Sequence, residues 1–307
     1  LRVAGLVDLS VDVAGLRLAH PVMNASGIMG ETPDGLMAIA RAGVSALVTK
    51  SYTPKPREPY PMPRVVHVEH GALNAVGLAN PGVEGLKGHM RLLRQLGIPI
   101  VVSVAGSLPN DFAEVASVAE EEGASAVELN LSCPHVERMG LDIGMDPRLS
   151  AEVTKAVASV VRVPVIAKLG ISDNMLRTAE AVLSAGARAL TLINTVRAMK
   201  VNVYTMRPVL GHGIGGLSGP AIHPIAVRAV YEVYKELRPD IIGVGGVESW
   251  EDAVELMLVG ARAVQVGTAL VRKGLQVVGE IKRGIKEYLE YMGLRGVSEL
   301  VGAALRA

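Results

Sequence analysis

Short aliphatic and β-branched runs alternate along this chain with longer stretches in which apolar residues recur every three or four positions. Eight runs read as strands: Pro21–Ser26, Ala46–Lys50, Ile98–Val104, Ala126–Leu131, Val163–Leu169, Ala189–Asn194, Ile241–Gly245 and Ala263–Val266. A stretch of helical length follows each, in some cases after an insertion. Eight strand–helix units in succession predict a closed (β/α)8 TIM barrel of the α/β class in preference to an open doubly wound sheet. Ahead of this rhythm, Val11-Asp12-Val13 and Leu16-Arg17-Leu18 flank the turn dipeptide Ala14-Gly15, which predicts an N-terminal β-hairpin.

An internal repeat supports the barrel. The segments 42–50, 122–130, 185–193 and 259–267 share one pattern of a helix C-cap glycine, a tight turn and a buried strand. Their ends place Lys50, Asn130, Ile193-Asn194 and Gly267-Thr268 at strand C-termini, which in a barrel converge on one mouth. Two connections are long: Ser51 to Gly82, with several prolines, and Val196 to Ile222, rich in glycine. Connections of that length are functional or carry minor structure of their own. Ser249-Trp250-Glu251-Asp252 is a capping-box pattern ahead of an apolar run.

Composition narrows the picture. With 50% hydrophobic residues but one Phe and one Trp, the core must be built from Val, Leu, Ile, Ala and Met. The 307 residues suit one barrel domain spanning 1–307, and no linker or low-complexity segment divides them. A formal net charge of +1 advertises neither nucleic acid nor an anionic membrane as partner. A single cysteine excludes an internal disulfide and fits a cytoplasmic setting. With neither a signal peptide nor an apolar run of transmembrane length, the expectation is a soluble protein without membrane association. The seven histidines lack ligand spacing, so no metal site is expected.

Several stretches could carry chemistry. Gly243-Val244-Gly245-Gly246 ends the seventh strand and Gly267-Thr268 the eighth, where barrels hold phosphate through backbone N–H groups. Lys50 and Lys168 end apolar strands; they either reach solvent at the rim or neutralise an anionic ligand. Asn130-Leu131-Ser132-Cys133-Pro134-His135 runs from the fourth strand into an irregular segment. Its lone thiol is either an inert small core residue or, beside polar neighbours past a strand end, a base or nucleophile. The asparagines of Asn74-Ala75-Val76-Gly77-Leu78 and Asn194-Thr195 are turn residues or ligands for an amide-like ring.

Taken together and in this order, Asn24–Gly27, Val48–Ser51, Asn74–Leu78, Asn130–Pro134, Ile193–Thr195, Gly215–Ile222 and the two late glycine sites resemble the dihydroorotate dehydrogenase family over nearly the whole chain. The resemblance implies an FMN-binding barrel whose bottom the hairpin closes. It also implies oxidation of dihydroorotate to orotate in pyrimidine biosynthesis. In that reaction a base takes the C5 proton while hydride passes from C6 to flavin N5. It assigns Cys133 as the base. It assigns Ser26, Lys50, Ser51, Asn130, Lys168 and Ile193 to the flavin and ribityl chain, and Gly219, Gly245, Gly246, Gly267 and Thr268 to the phosphate. The substrate would be lined by Lys50, Asn74, Ala75, Val76, Gly77, Leu78, Asn130, Asn194 and Thr195. A cysteine base and the lack of a membrane-directed extension resemble the soluble classes. Ile193–Thr195 and Gly215–Ile222 resemble the form whose catalytic subunits pair as a homodimer. In that form a second subunit carrying FAD and a 2Fe-2S cluster passes electrons to NAD, giving a heterotetramer.

The chain departs from the family pattern in three places. His135 and Ser103 replace the usual asparagines, and Lys168-Leu169-Gly170-Ile171 replaces the usual Lys-Leu-Ser-Pro. Competing expectations are a fumarate-linked soluble dihydroorotate dehydrogenase, an FMN-dependent reductase acting on uracil in RNA, and a non-catalytic barrel that binds a phosphorylated ligand. The RNA reading is opposed by the near-neutral charge.

Overall fold

The computed structural model describes residues 7–131 and 141–306, with backbone alone at 141 and 142. Eight parallel strands form its centre: β1 (Val22–Asn24), β2 (Leu47–Val48), β3 (Ile100–Val104), β4 (Ala126–Asn130), β5 (Val165–Leu169), β6 (Ala189–Leu192), β7 (Ile241–Val244) and β8 (Ala263–Val266). The ladder order is β1-β8-β7-β6-β5-β4-β3-β2, and every pair in it is parallel. Every residue of β3, β4 and β5 is buried, which explains why these runs show no alternation of polar and apolar positions.

Between β1 and β2 the closure is made in part by side chains. Ser45 N–H and Oγ–H both donate to the Val22 carbonyl, at 2.9 and 3.0 Å. The Asn24 amide bonds to both backbone groups of Val48. The eight-stranded sheet is thereby nearly closed into a barrel.

A helix follows each strand: Pro33–Arg41, Gly82–Leu93, Pro109–Glu121, Pro147–Ala158, Met175–Ser184, His223–Leu237, Trp250–Leu258 and Val277–Met292. The four repeat glycines Gly43, Gly123, Gly186 and Gly260 all have positive φ, so each helix ends in a left-handed turn that leads into the next strand. Ser249 and Asp252 form the expected capping box.

The hairpin Val11–Val13/Leu16–Leu18 is present, with Ala14 and Gly15 at its turn. Ala14 N–H donates to Asp240 Oδ2 at 2.9 Å, just ahead of β7. That contact sets the hairpin against the N-terminal ends of the strands, the barrel bottom.

The two long connections are not structureless. The one after β2 forms the strands Val65–Val68 and Gly71–Asn74; the one after β6 forms Val196–Ala198 and Gly215–Ser218. All four join in one antiparallel sheet, with Asn74 paired to Gly216. Leu73, Ala75 and Leu210 form a small core of their own beneath it. No helix among the described residues is long and apolar enough to cross a membrane.

Candidate active site

The strand C-termini and the antiparallel sheet enclose a cavity of about 680 Å³, within the size range of small-molecule sites. The strand ends contribute Ser26, Lys50, Ser51, Asn130, Lys168, Ile193, Asn194, Thr195, Gly245, Gly246, Gly267 and Thr268. The two long connections contribute Asn74, Val76, Gly77, Leu78 and Gly219. One expected lining residue is absent. Ala75 is fully buried against Leu73 and Leu210, because strand alternation turns it away from the face that Asn74 and Val76 present. Cys133 and His135 lie outside the described residues.

A chain of polar side chains runs along one wall. Asn194 Nδ2 donates to Asn130 Oδ1 at 3.3 Å, and Asn130 Nδ2 donates to Ser51 Oγ at 2.9 Å. Ser51 Oγ lies 2.9 Å from Ser103 Oγ, which is fully buried behind it. Ser103 therefore acts on the cavity through Ser51. Asn74 Nδ2 donates across the antiparallel sheet to the Gly216 carbonyl at 3.2 Å. That bond fixes the amide plane before any ligand arrives.

Lys168 is not a simple free cation at the mouth. Its Nζ lies 3.6 Å from Glu128 Oε1 and donates to Gln265 Oε1 at 3.1 Å. Glu128 Oε2 accepts from Thr191 Oγ1 at 2.9 Å and from Gln265 Nε2 at 2.8 Å. Glu128, Thr191 and Gln265 are fully buried, one layer below the cavity. Glu128 is a carboxylate that the sequence alone does not single out. Its signal was an acidic residue inside an apolar strand, in phase with Asn130 two positions later. Gln265 bears the same relation to Gly267. A buried ammonium needs such a partner, since burying a charge without one is costly.

Lys50 is held differently. Burial pushes its ammonium below the ordinary lysine range, and the Glu31 carboxylate opposes that push. Both residues line the cavity. Behind Lys50 the fully buried Tyr52 places its hydroxyl 2.6 Å from His89 Nδ1. Burial first, then the Lys50 charge, lowers the His89 pKa, so this neighbour does not compete with Lys50 as a cation.

The opposite end is built from backbone. Gly245 and Gly246 take φ of +137° and +68°, conformations that side chains disfavour. A Cβ on Gly246 would stand 2.7 Å from His223 Cβ and 2.8 Å from the Gly219 carbonyl oxygen. A Cβ on Gly219 would stand 2.7 Å from Gly71 Cα. Thr268 Oγ1 donates to Ser218 Oγ at 2.8 Å and ties the β8 end to the same corner. Bare glycine segments meeting here, in one cavity with the asparagines and lysines, fit the phosphate and ring ends of FMN. Among the described residues no group of three or more His, Cys, Asp or Glu is arranged to hold a metal.

Comparison with known proteins agrees with this geometry. The dihydroorotate dehydrogenase family model matches residues 8–289. A protein of Aeropyrum pernix described as a putative dihydroorotate dehydrogenase A (fumarate) is 53% identical over 98% of both chains. The catalytic subunit of dihydroorotate dehydrogenase B (NAD(+)) from Pyrococcus horikoshii is 42% identical over 97% of this chain and 98% of its own length. Among solved structures, the Eimeria tenella enzyme in complex with ferulenol matches with a TM-score of 0.86 at 21% identity. The match covers 100% of this chain and 91% of that one, and it supports the barrel fold. The order of motifs, the barrel and these full-length relatives lead to one conclusion: the chain belongs to the dihydroorotate dehydrogenase family of FMN-dependent oxidoreductases.

Proposed function

We propose that this protein oxidises dihydroorotate to orotate in the cavity above the strand ends and passes the electrons to NAD through a separate partner subunit. The observation that carries the reaction is the convergence of Lys50, Asn74, Asn130 and Asn194 on one cavity that the glycine cradle also lines. FMN, when bound there, supplies the two-electron acceptor. Gly219, Gly245, Gly246, Gly267 and Thr268 would hold its phosphate; Ser26, Lys50, Ser51, Asn130, Lys168 and Ile193 would hold the remainder. The asparagine amides offer donors and acceptors to the substrate ring and fix its orientation before reaction. Lys50 supplies positive charge for the substrate carboxylate, and Lys168 stabilises negative charge developing on the cofactor side. Cys133, by resemblance, takes the C5 proton as its thiolate.

The NAD route is supported by relatives named as catalytic subunits of an NAD(+) enzyme, at 40–43% identity. The FAD- and iron–sulfur-bearing partner, the homodimer and the heterotetramer belong to this proposal. An apolar ribbon is consistent with a protein partner: Val203, Tyr204 and Met206 are 75%, 93% and 84% exposed. Direct oxidation by fumarate is the second reading, favoured by the 53% identical relative named for fumarate.

The test is anaerobic mixing of the purified, flavin-loaded chain with dihydroorotate, followed by oxidation trials. Bleaching of the flavin is expected, with slow reoxidation by NAD and by fumarate. Fast turnover with fumarate selects the second reading. Efficient NAD reduction by the isolated chain removes the need for a partner subunit. Cys133→Ala should keep flavin and slow its reduction by at least about a hundredfold; parent-like reduction in that variant defeats the base assignment.

A further inference from the structure

His223 is a buried titratable group that the reading above does not use. It opens the helix His223–Leu237, is 8% exposed and is not part of the cavity lining. Its Nδ1 lies 2.8 Å from the carbonyl oxygen of Gly245, and its Nε2 lies 3.2 Å from Glu255 Oε2. Asp252 Oδ1 stands 3.8 Å from the same Nε2. Both ring nitrogens therefore face oxygens, and neither a carbonyl nor a carboxylate oxygen can donate. A neutral imidazole has one N–H and satisfies one of these contacts; the imidazolium satisfies both. The carboxylates facing the ring, Asp252 and Glu255, both come from the helix Trp250–Leu258.

The consequence reaches the cavity through one peptide plane. The bond between Gly245 and Gly246 is trans, so its carbonyl and its N–H point in opposite directions. The carbonyl points to His223, behind the cavity wall. The Gly246 N–H then faces the other way, toward the space that Gly245 and Gly246 line. Two consecutive glycines at φ +137° and +68° have no Cβ to resist rotation of that plane, so something else must fix it. We propose that His223 is a positioning residue for the phosphate end of the bound flavin. Its ring, donating from Nδ1 to the Gly245 carbonyl and flanked at Nε2 by Glu255 and Asp252, locks the Gly245–Gly246 peptide so that Gly246 N–H is presented to the phosphate. This rests on the flavin reading above.

The experiment compares FMN with riboflavin, which lacks the phosphate, on the flavin-stripped full chain by fluorescence quenching. The parent should prefer FMN. His223→Phe should lower the FMN-to-riboflavin affinity ratio by about tenfold, leaving riboflavin affinity unchanged. His223→Gln, which keeps one donor, should recover part of the loss, and Glu255→Gln should shift the ratio in the same direction by less. A residue that only supported the fold would lower both affinities together, so an unchanged ratio in His223→Phe overturns the proposal. If that variant does not fold, an unchanged ratio in both His223→Gln and Glu255→Gln overturns it equally. Nitrogen NMR of the FMN-bound parent should show Nδ1 of His223 protonated; a bare Nδ1 overturns the donation to Gly245. A parent that does not prefer FMN overturns the phosphate site itself, and with it this inference.

Discussion

The side-chain amide of Asn24 occupies both hydrogen-bonding positions of Val48: Nδ2 donates to the Val48 carbonyl at 2.7 Å, and Oδ1 accepts from the Val48 N–H at 2.9 Å. A side chain thus stands in for a neighbouring strand where β1 meets β2, the shortest strand of the barrel. Both residues are buried. Asn24→Ala would leave one donor and one acceptor of Val48 without water or protein partner. The expected cost is about 2–4 kcal/mol, since an unsatisfied buried group costs roughly 1–3 kcal/mol. Denaturant unfolding checks this; a loss within error of zero would mean that water or the backbone replaces the amide.

Glu128 and Lys168 should be strongly interdependent. Removing one charge of a buried pair costs about 3–5 kcal/mol, whereas replacing both is much milder. Glu128→Gln should therefore destabilise markedly, and Glu128→Gln combined with Lys168→Met should regain much of the loss. Additive losses in the double-mutant cycle would show that the two residues do not act as a pair.

Lys50 should trade stability for activity. Burial lowers its pKa, so the folded chain holds this proton less tightly than the unfolded chain does. The penalty is fully present below the folded pKa and is relieved as pH rises toward the unfolded lysine value. Lys50→Met should thus raise the melting temperature of the unliganded chain at neutral pH. It should also slow flavin reduction by dihydroorotate at least about a hundredfold, through loss of a positioned charge. A melting temperature unchanged or lowered would contradict the burial argument.

Gly246→Val should empty the site. The valine would need φ near +68° and a Cβ within 2.8 Å of the Gly219 carbonyl oxygen. Backbone cannot yield as a flexible side chain can, so the peptide must rotate out of the cradle. Flavin content per chain, read from the absorbance of the purified protein, should fall to a small fraction. A fully loaded variant would move the phosphate elsewhere.

Local pattern determined much of this protein. Unalternating apolar runs, repeat glycines and turn chemistry specify strands, helices and their order, because these depend on residues close in sequence. The convergence of Lys50, Asn130, Asn194 and Gly267 at one mouth follows from the same information, since strand C-termini share one end of a barrel. The residues alone leave Asn74 to Leu78 as a turn or a ligand; family resemblance places them on the substrate and adds Ser26.

Contacts between segments far apart in the chain were decided by the tertiary structure alone. The long connections after β2 and β6 appear as two loops in sequence; they are one antiparallel sheet, because Gly71–Asn74 finds its partner in Gly215–Ser218. That pairing turns Ala75 into a small core and away from the cavity. Glu128 interrupts an apolar strand, and only the barrel brings Lys168, Thr191 and Gln265 around it. His223 carries no local signal; only the fold brings Gly245 and Glu255 to its two nitrogens. Buried polar groups take meaning from partners that chain closure supplies, and no short window of sequence contains those partners.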